Sequence, residues 1–360
     1  MKIFVLTDIP SPYQTEIFNE VATIGCELHV GYLRQCDPAR QWNQIKIHHD
    51  STMLDGGPRE LSTARSIMAN SDLAVFNYYR HPSAAQLLTQ RATQQRPWCF
   101  WGERPGLRTP EWAGRIVRHW KLRPLHRSPA PIWGIGQFAV DQYKREFGAT
   151  RAYRNLPYFS DLKRFHVDRY NNGNPAPERV FLFSGALTAR KGVDLLAECF
   201  NDLARERQNV RLRIIGDGPL LSDLRRRLSV ARDKVEFIGF KDWNDLPGQY
   251  AAADLLCVPS RYDGWGLVVP EGLASGLPVI ATDRMGSALE FIKNSHNGWL
   301  VSAGDRRALL NAMFEAATIS KDELSRYSSN ARESVREHSL QDGARRFLQY
   351  ATDAVANWQA

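Results

Sequence analysis

The feature that most constrains this chain is a rhythm of short apolar runs, each followed by a loop and then by apolar residues at helical spacing. The first run is Lys2 to Thr7; Pro10, Ser11 and Pro12 break it, and Ile17, Phe18 and Val21 then mark one face of a helix. Further strands are predicted over Cys26 to Leu33, Leu73 to Asn77, Pro97 to Trp101 and Pro131 to Ile135, the last followed by a helix from Gln137 to Phe147. A strand with no polar face must be covered on both sides, so this rhythm implies an open parallel sheet sandwiched by its own crossover helices. The rhythm restarts after Asn171 to Pro177, a polar stretch rich in Asn and Pro with little to bury, which reads as an interdomain linker. Beyond it come strands at Val180 to Ser184, Val210 to Ile215, Val235 to Ile238, Leu255 to Val258 and Pro278 to Ala281, with helices at Val193 to Arg205 and Leu220 to Leu228. The expected fold is therefore α/β, with two Rossmann-like doubly wound domains over residues 1–170 and 178–335 facing each other across a cleft. A chain of 360 residues is long enough for each to bury its own core. The tail 340–360 reads as a helix that closes one domain or crosses back to the first.

Composition removes several alternatives. The chain is 43% hydrophobic and 24% charged, and it holds no apolar run long enough to span a bilayer. The apolar start ends at Asp8, too short for the core of a signal peptide, so a cytoplasmic location is expected. Cys26, Cys36, Cys99, Cys199 and Cys257 are odd in number and widely spaced, which fits free thiols rather than a disulfide framework or a zinc site. A net charge of +8 favours an anionic partner: nucleic acid, an anionic membrane face or a phosphorylated small molecule. Nucleic acid would call for an aromatic-studded basic strip, whereas the basic residues are scattered apart from one short segment. That segment is 111–127, where Trp112, Ile116 and Trp120 share a helical face among Arg115, Arg118, Lys121, Arg123 and Arg127. It reads either as a surface for an anionic membrane or as core tryptophans beside a solvated basic face.

The loops after the second set of strands carry the chemistry. Gly185 to Gly192 follows a strand and precedes a helix, where a phosphate meets free backbone amides. Arg190 and Lys191 either add a planar fork and a point charge to such a site or cap the loop as solvated residues. The spacing of a Walker loop is absent. Gly216 and Gly218 flank Asp217 at the end of the next strand, which fits both close backbone approach and an ordinary turn. In Pro259 to Gly272, Asp263 and Glu271 stand eight apart around a glycine-rich turn, with a helix expected to begin near Gly272. The amides of Gly266, Leu267 and Val268 would form an anion-binding nest between the two carboxylates. Glu271 suits a pair of ribose hydroxyls, or a helix start. In the first half, His81 follows the Leu73 to Asn77 strand and reads as a structural or surface residue, or, by the family resemblance set out next, as a candidate to face a reacting sugar.

The Asp263 to Glu271 segment resembles the E-x7-E motif of retaining GT-B glycosyltransferases of family 4, the glycosyl transferases group 1, with Asp in place of the first Glu. Further pieces match in order: Gly185 with Arg190 and Lys191, Gly216 to Pro219, Ala253 to Ser260, Met285 to Glu290 and Asn297 to Val301. Met285–Gly286 replaces the family's usual Gly–Gly pair. The resemblance covers the second domain, about half the chain. It implies that Arg190 and Lys191 neutralise the diphosphate of a UDP- or GDP-sugar, that Glu271 holds the ribose and that Asp263 binds the transferred sugar. It also implies retention of configuration without a divalent metal, a glycan or lipid-linked acceptor in cell-surface polysaccharide or lipopolysaccharide synthesis, and a place at the inner face of the plasma membrane. An epimerase or hydrolase of the same fold stays an alternative.

Overall fold

The computed structural model describes residues 1–37, 46–105, 111–166 and 178–358. They form two compact units, Met1–Asp161 with Leu340–Ala360, and Leu162–Ser339. The first unit holds a seven-stranded sheet: β1 (Lys2–Thr7), β2 (Glu27–Tyr32), β3 (Asp50–Met53), β4 (Leu73–Phe76), β5 (Trp98–Gly102), β6 (Ile132–Gly134) and β7 (Tyr153–Asn155). All pairs are parallel, in the order β3-β2-β1-β4-β5-β6-β7. Its helices are α1 (Pro12–Thr23), α2 (Pro58–Asn70), α3 (Pro82–Thr93), α4 (Glu111–Lys121), α5 (Arg123–His126) and α6 (Gln137–Phe147). Proline opens α1, α2 and α3, where its missing N–H costs nothing.

The C-terminal helix Leu340–Ala356 belongs to this first unit. Phe347 packs against Trp101 and Trp133 at 6.1 and 5.5 Å between ring centroids. Gly343 lets the helix lie flat on Phe159, since a Cβ there would come within 2.6 Å of that ring.

The second unit contains β8 (Arg179–Ser184), β9 (Val210–Ile215), β10 (Val235–Gly239), β11 (Leu255–Val258), β12 (Val279–Thr282) and β13 (Gly298–Val301), again all parallel, in the order β10-β9-β8-β11-β12-β13. Its helices are α7 (Val193–Glu206), α8 (Leu221–Arg227), α9 (Leu246–Ala251), α10 (Val268–Ala274), α11 (Gly286–Phe291), α12 (Arg306–Thr318) and α13 (Lys321–Ser334). The period of two along β8 sends Phe181 and Phe183 to one core and Leu182 to the other, so each sheet face is buried.

The division of the chain differs from the expected one. The first unit closes at Asp161 rather than 170, because Leu162 and Phe165 bury themselves in the core of the second, with the Phe165 ring 5.3 Å from that of Tyr250. The linker expected at 171–177 lies outside the described residues. Among the described residues no helix is long and apolar enough to cross a membrane.

Candidate functional site

In the second sheet, β9 lies on one side of β8 and β11 on the other, so the strand order reverses between β8 and β11. Loops leaving the carboxyl ends of two such strands diverge and open a crevice, the place where open α/β sheets hold ligands. The loop after β8 runs through Gly185 into a 3-10 turn, Ala189–Lys191, and α7 starts directly beyond Gly192. Gly192 is left-handed, with φ +69°, and a Cβ there would stand 1.9 Å from the carbonyl oxygen of Pro259, the first residue after β11. Gly216, after β9, presses on the same loop: its Cβ would lie 2.0 Å from the oxygen of Gly185. Close backbone contact, rather than an ordinary turn, is what these glycines serve.

This packing brings Arg190, Lys191 and Asp263 together. The Lys191 ammonium pairs with Oδ2 of Asp263, and an Arg190 guanidinium nitrogen lies 3.4 Å from Oδ1. Burial by itself would raise the Asp263 carboxyl, but the Lys191 and Arg190 charges outweigh it and hold the group below its ordinary value. Asp263 therefore contributes stability in full above the unfolded aspartate value of about 3.9, and the contribution is lost only as pH falls through the lower folded value. The cluster carries one net positive charge. Arg190 also donates to the carbonyl of Tyr262 at 3.3 Å, so neither cation is the freely solvated cap that its place in the loop also allowed.

Two further residues hold the arrangement. Arg261 grips Asp194, at the start of α7, through two bonds of 2.7 and 2.8 Å. The Asp263 amide donates to the Arg284 carbonyl at 2.9 Å, and Asp263 bridges Met285 as in a parallel ladder. Met285 turns into the core, fully buried, so the residue that replaces a glycine here fills space beneath Gly266.

The helix expected from Gly272 in fact begins at Val268, which puts Glu271 inside its first turn. Gly266, Leu267 and Val268 sit at its start, and their amides make no hydrogen bond among the described residues. Glu271 is 4% exposed and its Oε2 accepts from the Tyr250 hydroxyl at 3.4 Å. Burial, the Glu271 charge and the Glu271 hydrogen bond raise the Tyr250 hydroxyl well above its ordinary value, opposed by the hydroxyl of Ser184, the last residue of β8. The Lys191 stem passes 3.9 Å from the Cβ position of Gly185, next in sequence to Ser184. Glu271, Tyr250, Ser184, Gly185, Lys191, Asp263 and Gly266 thus form one continuous rim at the carboxyl edge of the sheet.

Of the remaining predicted residues, His81 belongs to the first unit and the Gly216 turn to the second. His81 is the N-cap of α3, its Nδ1 accepting from the Ser83 amide at 3.2 Å, a task that accounts for its place without catalysis. Asp217 caps its own turn, accepting from the Gly218 amide at 2.7 Å. Arg261, Tyr250, Ser184 and Ser287, whose hydroxyl reaches the carbonyls of Trp265 and Gly266 at 2.7 Å, escaped the sequence reading. The only signal for Arg261 was its place beside the Asp263 turn.

These features define an α/β domain of Rossmann type with a cationic, amide-edged cluster at its switch point. Residues 166–334, nearly all of the second unit, match the family model for glycosyl transferases group 1. A GDP-mannose-dependent monoacylated alpha-(1-6)-phosphatidylinositol monomannoside mannosyltransferase of Corynebacterium glutamicum is 29% identical over 54% of this chain and 54% of its own. The chain spans from about a third to about half the length of the curated relatives it matches first. Among solved structures, sucrose-phosphate synthase of Thermosynechococcus elongatus superposes with a TM-score of 0.78 at 19% identity, covering 99% of both chains. Anabaena HepE, solved with UDP and glucose, gives 0.74 at 18% identity over 98% of this chain and 99% of its own. The fold is GT-B: two Rossmann-like units, each with a parallel sheet.

Proposed function

We propose that this chain is a retaining glycosyltransferase that moves a sugar from a UDP- or GDP-sugar to a glycan or lipid-linked acceptor in cell-surface polysaccharide synthesis. The observation that carries the reading is the clustering of Arg190, Lys191 and Asp263 beside unbonded helix-start amides, with Glu271 on the same rim. In the reaction the bond from the anomeric carbon to the diphosphate breaks and its electron pair passes to a phosphate oxygen. The acceptor oxygen bonds to that carbon, and its proton passes to the departing phosphate. Arg190, Lys191 and the Gly266, Leu267 and Val268 amides would stabilise the growing phosphate charge, the largest single contribution in reactions of this type. Glu271 would accept both ribose hydroxyls. Asp263 would meet the transferred sugar with whatever acceptor capacity its two cations leave open.

The charge neutralisation on this rim is supplied by side chains, so no divalent metal is part of the proposal. Turnover is expected to persist in EDTA; its abolition, restored by added magnesium, would refute this part. A nucleotide that binds only the folded state stabilises it by about 2.7 kcal/mol at a hundredfold excess over its dissociation constant. Thermal denaturation with UDP, GDP and their sugars is therefore expected to show a clear shift with one base and little with the other. No shift with either would remove the donor assignment. The proposal places the enzyme at the inner face of the plasma membrane, supported by the exposed tryptophans of α4.

A further inference from the structure

Four of the seven large apolar side chains exposed among the described residues sit on the single helix α4. Trp112, Ile116 and Trp120 are 69, 62 and 73% exposed, and their spacing of four sets them in one stripe. The tryptophans are thus not the core residues that the sequence also allowed. The stripe cannot roll inward, because Arg118 on the opposite side of the helix is buried in an ion pair with Glu146 at 2.8 Å. A helix anchored by one buried charge pair while its tryptophans stay in water presents a contiguous apolar surface of the kind that meets a partner.

The stripe ends at a cavity of about 690 Å³ between α3 and the α4–α5 corner. Trp120 is both the last member of the stripe and a wall of the cavity. Arg80, Lys121, Arg123 and Arg127 line it, and among the described residues its lining contains neither Asp nor Glu. Pro82, Ala85 and Ala92 of α3 supply apolar wall. Positive charge without a carboxylate fits an anion, and apolar wall continuous with an exposed tryptophan stripe fits an amphipathic one.

We propose that this cavity seats the phosphate-bearing headgroup of an anionic phospholipid while the Trp112, Ile116 and Trp120 stripe lies in the bilayer interface. The inference deepens the membrane placement proposed above and is independent of the donor site. Ile116 and Val117 bring apolar surface with no stacking face, which suits acyl chains better than nucleobases.

The test is flotation of the full chain with vesicles of phosphatidylcholine alone and of phosphatidylcholine with phosphatidylglycerol. Binding is expected only to the anionic vesicles. Arg123→Gln with Arg127→Gln should weaken it by about 30-fold, each near-surface arginine contributing roughly fivefold. Trp112→Gln with Trp120→Gln should weaken it by tenfold or more, roughly the loss from withdrawing two indoles from an interface; both pairs change exposed residues, and circular dichroism checks that the fold is kept. Equal binding to both vesicle types, or undiminished binding by the arginine pair, would overturn the proposal. So would stabilisation by inorganic phosphate with no vesicle binding, which would mark a site for a soluble anion. Nucleotide shifts measured on the same preparations separate the two readings: lost flotation with an intact nucleotide shift removes this inference alone, and the reverse removes the donor assignment alone.

Discussion

Lys191→Ala is expected to lower turnover by about 10²-fold or more while leaving the fold intact, as removal of a single preorganised donor to a developing charge does elsewhere. The loss has two parts. The ammonium that would face the diphosphate is gone, and Asp263 is left with Arg190 at 3.4 Å as its remaining partner in the cluster. A carboxylate less fully neutralised beside a departing diphosphate opposes the same charge that the lysine favoured. Steady-state rates with the donor identified by thermal shift check this. Glu271→Ala is expected to lose turnover to a similar degree, through ribose orientation. Unchanged rates in both variants would end the assignment of this rim to catalysis.

Gly192→Ala is expected to cost about 3 kcal/mol of stability or more, among the largest effects of any single methyl in this chain. The residue is left-handed, and the new Cβ would meet the backbone oxygen of Pro259 at 1.9 Å. A backbone atom cannot rotate aside as a side chain can, so the β8 and β11 loops must separate. Separation would also pull Lys191 from Asp263, and donor binding should fall with stability. Gly25→Ala is the control: φ is +91° there, but nothing lies within 4 Å, so the cost should be about 1 kcal/mol of backbone strain alone. Urea denaturation of the two variants measures the difference. Equal midpoints would show that the close approach does not matter.

The parallel sheets were legible because their central strands are apolar on both faces, as in Lys2 to Thr7 and Leu255 to Val258. β3 was missed since Asp50–Met53 lies at a sheet edge, where one row of partners is absent and polar residues are tolerated. The unit boundary was misplaced because Leu162 and Phe165 sit close to a polar stretch, and only packing shows which core takes them. Within the site, Asp263, Glu271 and the Arg190–Lys191 pair stood out through spacing. Their mutual ion pairing did not, because residues 191 and 263 meet only after the sheet has set β8 beside β11. Tyr250 and Ser184 carry no local signal either, being ordinary members of a helix and a strand.

The salt-bridged state of Lys191 bears on the whole of the proposed catalytic cycle. A long ammonium side chain free in water would lose its rotational freedom on meeting a ligand, but this one is already immobilised by a neighbour of opposite charge. An incoming donor would then exchange one counter-ion for another with little ordering left to do. When the spent nucleotide leaves, Asp263 would reclaim both cations, so the departure of a highly charged product would not strand two half-buried positive groups.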